Sequence, residues 1–428
     1  GVFHYRVGHI DRAFHVLFDL VNQEFVHRED REGDLTTYIP LSALFNPRRL
    51  LEEQQRLLNA GVQESVLDSV IDLQARFQEY VVPLVTISER NIDEVVVIFE
   101  RVNSTGLRLS RVDFMRAITW SESFDLNNAL DSVDRALEES GFDVSEDTIV
   151  KALGLIFDLD PLPGILLKLR SKTSAELASA VEHSKDVFLQ TFEFFRNELS
   201  IYSSEFIPYE GQVLTVFKVF LHRKRLKGDA ARELKRWFLW TSLEEGLQGR
   251  PDNFVARTIR LIDQQIEGGK LDIPVQRIDA DRFRRRRLLK GKALTTAVIT
   301  LMANHGVVGP VSGEKVDPAL FTGGFSSRNY IPILEIEQLP SSSGSAPSSA
   351  KLLANVLFVP DNDLEKIKSS GFDLVMRGKA RHGKKFLDGQ LISMMAFRHL
   401  ERGHFEKFLS VRSHSMSALA NRALDRSE

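Results

Sequence analysis

Two clusters of cationic side chains carry the most evident chemistry in this sequence. Arg282-Phe283-Arg284-Arg285-Arg286-Arg287 runs into Lys290 and Lys292, and His222-Arg223-Lys224-Arg225 stands close to Lys227. A guanidinium matches two phosphate oxygens at once, so such runs can hold a polyanion. A run this dense must also place charges on several sides of a helix, where some are simply solvated. Both readings stand for each cluster. DNA contact through Arg284, Arg285, Arg286, Arg287, Lys290 and Lys292 is the expectation for the first.

Other chemistry is excluded or unsupported. The chain has no cysteine, which removes disulfides, thiolate zinc sites and a cysteine nucleophile. Gly291-Lys292 lacks the Gly five residues earlier and the following Ser or Thr of a phosphate-binding loop. Neither H-E-x-x-H, nor G-x-S-x-G, nor G-x-G-x-x-G occurs. His305 and His382 stand outside any motif and read as surface or core residues.

With 428 residues, 43% hydrophobic and 27% charged, the chain is long enough for two or three ordinary globular domains. It contains no apolar run of the roughly 20 residues that a membrane helix needs. A soluble, cytoplasmic protein is expected. The net charge of −3 speaks against a surface that coats nucleic acid everywhere, yet 56 Lys and Arg can be concentrated on one face. The sequence opens at Gly1 without Met or signal-peptide layout, which reads as a piece of a longer chain.

The elements that must position these residues follow from apolar spacing. Short strands are expected at 14–20, 24–27 and 38–41. Helical periodicity follows from Pro47 to Phe77, with one further strand at 81–87 after it. A helix from Asn91 to about Asn103 gives way to another starting at Ser110. The stretch from about 125 to 305 reads as an α-helical array, with runs at 125–139, 146–158, 174–200, 211–225, 229–243, 251–266 and 291–304. Beyond it, two candidate strands (Tyr330 to Ile336 and Leu352 to Val359) flank a Ser-rich loop at 340–349. Helices at 361–369, 384–400 and 403–424 close the chain.

Between two of these helices lies Val97-Ile98-Phe99-Glu100-Arg101-Val102-Asn103-Ser104-Thr105-Gly106-Leu107-Arg108-Leu109-Ser110. Alone it is a helix end and a new helix capped by Ser110. Its sequence resembles the "FexxNsxGxxLs" stretch of the GmrSD-type family of bacterial modification-dependent restriction and phage-defence proteins. The similarity runs on in order. Phe18-Asp19, Glu24-Phe25 and Ile39-Pro40-Leu41 resemble that family's strand-rich region. Arg236-Trp237-Phe238-Leu239-Trp240 resembles its aromatic helix, and Phe405-Glu406-Lys407-Phe408 with Arg412 its C-terminal helix. All three read as framework.

The resemblance implies an upstream ParB-like nucleotide-hydrolysing domain with an Asp-Gly-Gln-Gln-Arg motif, which this sequence lacks; Asn103, Thr105 and Gly106 would line the edge of such a site. It also implies a C-terminal HNH-like nuclease domain, in which a His activates water beside one divalent metal. The matching stretches are Ile336-Glu337-Gln338-Leu339-Pro340 and Ala354-Asn355-Val356-Leu357-Phe358, with Asn362 near the last expected Asn. Gln338 stands where the general-base His is implied, and Gln cannot take a proton near neutral pH. Glu337, Gln338, Asn355 and Asn362 are therefore degenerate positions, and Glu337 or Asp361 would need another geometry to replace the base.

The expected fold is mainly α (α+β). Residues 1–120 would be the C-terminal part of a ParB-like domain with its following helices, 121–305 a helical scaffold, and 320–428 a ββα-type HNH-like domain with closing helices. The implied function is a DNA-binding component of an anti-phage restriction system, with a nucleoside triphosphate and Mg²⁺ serving the intact protein and a partner subunit or homo-oligomer completing it. Two alternatives are an active divalent-metal HNH-type endonuclease and a non-catalytic interaction module.

Overall fold

The structure, a computed structural model, describes residues 15–28, 35–81, 111–121, 123–226, 228–274, 276–339, 350–366 and 369–425. The chain is mainly α-helical with two small sheets. It divides into two compact units, Gly1–Val95 and Val96–Glu428. The expected strand at 82–87, the helix at 91–103 and the Val97–Ser110 joint lie outside the described residues.

In the first unit, β1 (Val16–Asp19) lies between β2 (Glu24–His27) and β3 (Tyr38–Pro40), antiparallel to both. Two helices follow, α1 (Pro47–Asn59) and α2 (Glu64–Glu79). The periodicity that runs on to Phe77 breaks at Gly61, whose φ of 70° suits glycine. Asn46 caps α1 by accepting from the N–H groups of Arg48 and Arg49, and Pro47 supplies a first-turn residue with no N–H to satisfy. Phe18, Leu20 and Ile39 from the sheet meet Leu50, Leu57, Val70 and Leu73 from the helices in one core.

The β1–β2 turn is organised by the buried carboxylate of Asp19. It accepts from the N–H groups of Val21 and Asn22 and from the Asn22 amide. Burial raises its pKa, but these hydrogen bonds and one from Tyr38 outweigh burial and hold the carboxyl below the ordinary aspartate value.

The second unit begins with α3 (Arg111–Thr119), α4 (Leu126–Leu137), α5 (Glu146–Ile156) and α6 (Ser174–Leu199). Three of these starts have a side-chain cap: Asp125 for α4, Ser145 for α5, and a reciprocal Thr173–Glu176 capping box for α6. Next come α7 (Glu210–Leu221), α8 (Asp229–Leu243), α9 (Asp252–Gln265), the short α10 (Ala280–Arg285) and α11 (Ala293–His305). A phenylalanine core joins α6, α7 and α8. Phe188 lies 4.7 Å from Phe217 and Phe195 5.3 Å from Phe238, centroid to centroid. Every residue of α11 from Ala293 to Ala303 is buried, in keeping with a helix that is apolar on nearly all sides.

At the C-terminal end, β4 (Tyr330–Pro332) pairs antiparallel with β5 (Val356–Phe358). Helices α12 (Asp361–Leu364), α13 (Gly371–Gly389), α14 (Met394–Glu401) and α15 (Phe405–Ala423) follow. The two apolar runs do pair, but through Tyr330–Pro332 and not through the expected Ile333–Ile336, of which Ile336 opens a 3₁₀ turn to Gln338. The expected helix at 361–369 is only the single turn α12, and that at 384–400 is two helices, because α13 starts at Gly371 and Leu391 takes a positive φ of 53° before α14. Gly371 lets α13 begin against β4: a Cβ there would lie 1.9 Å from the Pro332 carbonyl oxygen.

Asp19→Ala is expected to loosen the β1–β2 turn by about 2 kcal/mol, the scale of hydrogen bonds to a charged group. Amide exchange in the hairpin should then quicken by more than tenfold at neutral pH. A carboxyl with a depressed folded pKa gives stability above its unfolded value and loses it as pH falls through the folded one. The difference between variant and parent should therefore shrink below about pH 4.

Candidate functional site

The hairpin and its surroundings hold the residues that the resemblance singles out. Ile333 extends the ladder by one bond, donating its N–H to the Asn355 carbonyl at 2.7 Å. The fully buried Asn355 side chain then takes over the role of a strand. Its amide oxygen accepts from the Leu334 N–H at 3.1 Å, and its amide nitrogen donates to the carbonyls of Leu334 at 2.9 Å and Ala350 at 2.7 Å. This satisfies both backbone groups of Leu334 and ends the ladder there, which is why Leu334–Ile336 leaves the strand. Both sides of the Ser-rich loop are tied by one amide.

Arg412, from the middle of α15, reaches the same strand from the opposite side. Its Nη1 donates to the Ala354 carbonyl at 3.0 Å, and its Nη2 to those of Val356 at 2.7 Å and Gln390 at 3.0 Å. No carboxylate accompanies it among the described residues. Burial pushes the guanidinium pKa down to about 9, so it remains charged at neutral pH. Gln390 completes the clamp: its oxygen accepts from the Phe358 N–H at 3.1 Å, and its nitrogen donates to the Phe358 and Val308 carbonyls at 2.8 and 2.9 Å. The Asn329 amide donates to the Val359 carbonyl and to Asp361 Oδ1.

The four degenerate positions do not converge on one point. Gln338 closes the 3₁₀ turn, its side-chain oxygen accepting from the Glu335 N–H at 2.8 Å. Glu337 and Asn362 are exposed, whereas Asn355 is buried and saturated. Among the described residues no three His, Asp or Glu side chains form a metal-ligand group. With the Gln338 oxygen and the whole Asn355 amide engaged by backbone, the positions matched to the nuclease motif do not fit a divalent metal. His305 Nε2 meets the Asp388 carbonyl and His382 Nε2 that of Val311, both away from the hairpin turn. Pro340, Asn103, Thr105 and Gly106 lie outside the described residues.

The arginine run is stitched to the hairpin by backbone. Leu353 donates its N–H to the Arg286 carbonyl, Leu288 donates to that of Lys351, and Arg287 bridges Leu352. Only Arg282 to Arg285 are helical; Phe283 is buried and the later arginines follow an extended path. Most of the charges are paired. Arg282 lies 2.8 Å from Glu244, Arg284 and Arg285 both reach Asp281, Arg286 lies 3.3 Å from Glu245, and Lys290 contacts Glu205. Arg287 and Lys292 are exposed and have no ion pair among the described residues. In the other cluster, Arg223 is held by Asp263 at 2.5 Å and Glu267 at 3.0 Å, while Lys224 and Arg225 are exposed in the turn after α7. Lys227 is outside the described residues.

Arg412 was legible as a framework residue. Gln390 and Asn329 were not, since a lone amide gives no spacing signal. The cations of α13 were also missed, although Arg377-Gly378-Lys379-Ala380-Arg381-His382-Gly383-Lys384-Lys385 is plain in the sequence. No protein-family model and no curated protein matches this chain.

Arg412→Met keeps most of the side-chain volume and removes every donor to the Ala354, Val356 and Gln390 carbonyls. At about 1–3 kcal/mol per orphaned buried acceptor, the C-terminal part should lose at least 3 kcal/mol, read as a lower urea midpoint. A variant within 1 kcal/mol of the parent would mean that desolvating the lone cation cancels its hydrogen bonds.

Proposed function

We propose that this protein is a DNA-contacting scaffold of a bacterial modification-dependent restriction or anti-phage system, and that its hairpin unit keeps a nuclease-like shape without hydrolytic chemistry. The observation that carries this reading is the engagement of the motif side chains. Gln338 and Asn355, at the positions matched to the base and the central Asn, are both bonded to the hairpin's own backbone. A general base needs a free lone pair within reach of the attacking water and a pKa near the working pH. Gln338, an amide, has no such pKa.

DNA contact is supported by the position of the basic run. Backbone bonds hold it against Lys351–Leu353, on the loop that leads into β5, and Arg285, Arg286, Arg287 and Lys292 of this stretch are exposed. Phosphate contacts of this kind position DNA without reading its sequence. The family resemblance supplies the restriction context. Since the sequence holds no Asp-Gly-Gln-Gln-Arg motif, no nucleotide turnover is proposed for it.

One observation favours a second reading, a non-catalytic protein-interaction module. The acids paired with Arg282, Arg284, Arg285, Arg286 and Lys290 already neutralise most of the run. No helix of the described residues is long and apolar enough to cross a membrane, so neither reading involves a spanning segment.

Incubated with supercoiled plasmid and Mg²⁺ or Mn²⁺, the protein is expected to leave the DNA intact. Nicking by the parent that disappears on chelation would overturn the degenerate-nuclease reading in favour of an active endonuclease. Gln338→His run alongside should also be inactive, because its neighbours Asn355 and Glu335 remain committed to the backbone. A duplex DNA titration separates the scaffold from the interaction module: the scaffold binds with an affinity that falls steeply with salt, the module does not bind.

A further inference from the structure

Helix α13 carries five cations in nine residues, Arg377, Lys379, Arg381, Lys384 and Lys385, with no acid between Asp373 and Asp388. Among the described residues none of the five takes part in an ion pair, in contrast to the arginine run, where five of the cations do. Like charges four residues apart on a helix, as Arg377 and Arg381 are, repel each other. The strip is therefore held at a stability cost that a polyanion would relieve. Arg377, Arg381, Lys384 and Lys385 are exposed.

The strip is also held in place. Gly383 breaks the helix with φ 63° and ψ −138°, a backbone conformation open to glycine alone, and re-aims Lys384 and Lys385. On either side of the break His382 Nε2 bonds to the Val311 carbonyl, and Lys385 donates to that of Gly313 at 3.1 Å. That loop is in turn fixed by the buried Asp363, which accepts from the N–H groups of Val311 and Ser312. Lys379 lies over the Phe397 ring of α14, 5.8 Å from its centroid. The backbone that carries the charges is thus held in place by its neighbours.

From this arrangement we infer that the α13 strip, more than the arginine run, is the surface that grips the phosphate backbone of duplex DNA. This rests on the DNA reading above and specifies where the contact lies. Arg377 and Arg381, about one turn apart, are separated by roughly 6 Å along the axis, about two phosphate spacings on one strand of B-DNA, and the break at Gly383 sets Lys384 and Lys385 beyond them. The contact carries no base information, so affinity should be alike for all sequences.

The test compares two triple variants of the full chain on a fluorescent 30-bp duplex across a salt series, by anisotropy. Arg377→Gln/Arg381→Gln/Lys384→Gln, which removes no intramolecular contact, should weaken binding at least tenfold at 0.1 M salt. It should also flatten the slope of log K against log salt by about 3, one per lost phosphate contact. Arg285→Gln/Arg287→Gln/Lys292→Gln should change both less. A charge-keeping control, Arg377→Lys/Arg381→Lys, should bind as the parent does, and its failure would show that something other than charge is at work and refute the inference. If the α13 triple binds like the parent while the arginine-run triple loses affinity, the inference is wrong and the DNA reading stands. If the parent binds no duplex even at 50 mM salt, both fall. A clear preference for duplex RNA over the DNA would overturn the assigned occupant.

Discussion

One buried cation governs the C-terminal part of this protein. Arg412 extends from α15 into a space walled by β5 and the α13–α14 junction, and meets only carbonyl oxygens there. A guanidinium removed from water without a counter-ion is tolerable only if its donors find acceptors. Three backbone carbonyls from two separate segments accept from Nη1 and Nη2 and tie α15 to β5 and to the Gln390 turn, while Nε has no partner among the described residues. The constraint passes outward. Val356, fixed by Arg412, is paired with Pro332 in β4, and Ala354 leads into Asn355, whose amide ties Leu334 to Ala350. From there Leu352 and Leu353 bind the backbone of the arginine run.

This clamp bears directly on function. Under the proposed reading, the side chains matched to the nuclease motif, Gln338 and Asn355, serve local backbone bonding instead of a substrate. The buried Asn355 amide, with both N–H groups donated and its oxygen accepting, contributes to a unique structure. Its protons are committed to backbone, and Glu337 belongs to no group of three His, Asp or Glu side chains among the described residues. What this region can still offer a partner is its surface charge.

Charge on this molecule comes in two kinds that the composition does not distinguish. Around Arg282–Lys290 each cation but Arg287 has an acid close by, supplied by α10 itself, by the end of α8 and by the 3₁₀ turn at Glu205. Such pairs fix a segment and leave little net field. On α13 the cations are unpaired and set on a rigid base. A field that attracts a polyanion needs uncompensated charge, so pairing rather than residue count decides which basic stretch matters.

The helical array was legible because its signal is local. Apolar residues at intervals of three and four, with caps such as Asp125, Ser145 and Thr173, decide helix and boundary within one stretch of chain, and α4 to α9 fall close to the expected limits. The same holds for β1 to β3 and for the pairing of two apolar runs across a Ser-rich loop. What the sequence could not decide depends on partners far along the chain. The stop of β4 at Pro332 is set by the Asn355 side chain, 23 residues on. The start of α13 depends on Gly371 meeting β4, and the neutral or charged character of each basic stretch on whether Glu205, Glu244 and Glu245 fold beside it. Hydrophobic periodicity records which face of an element is buried; it does not record which polar group will be waiting there.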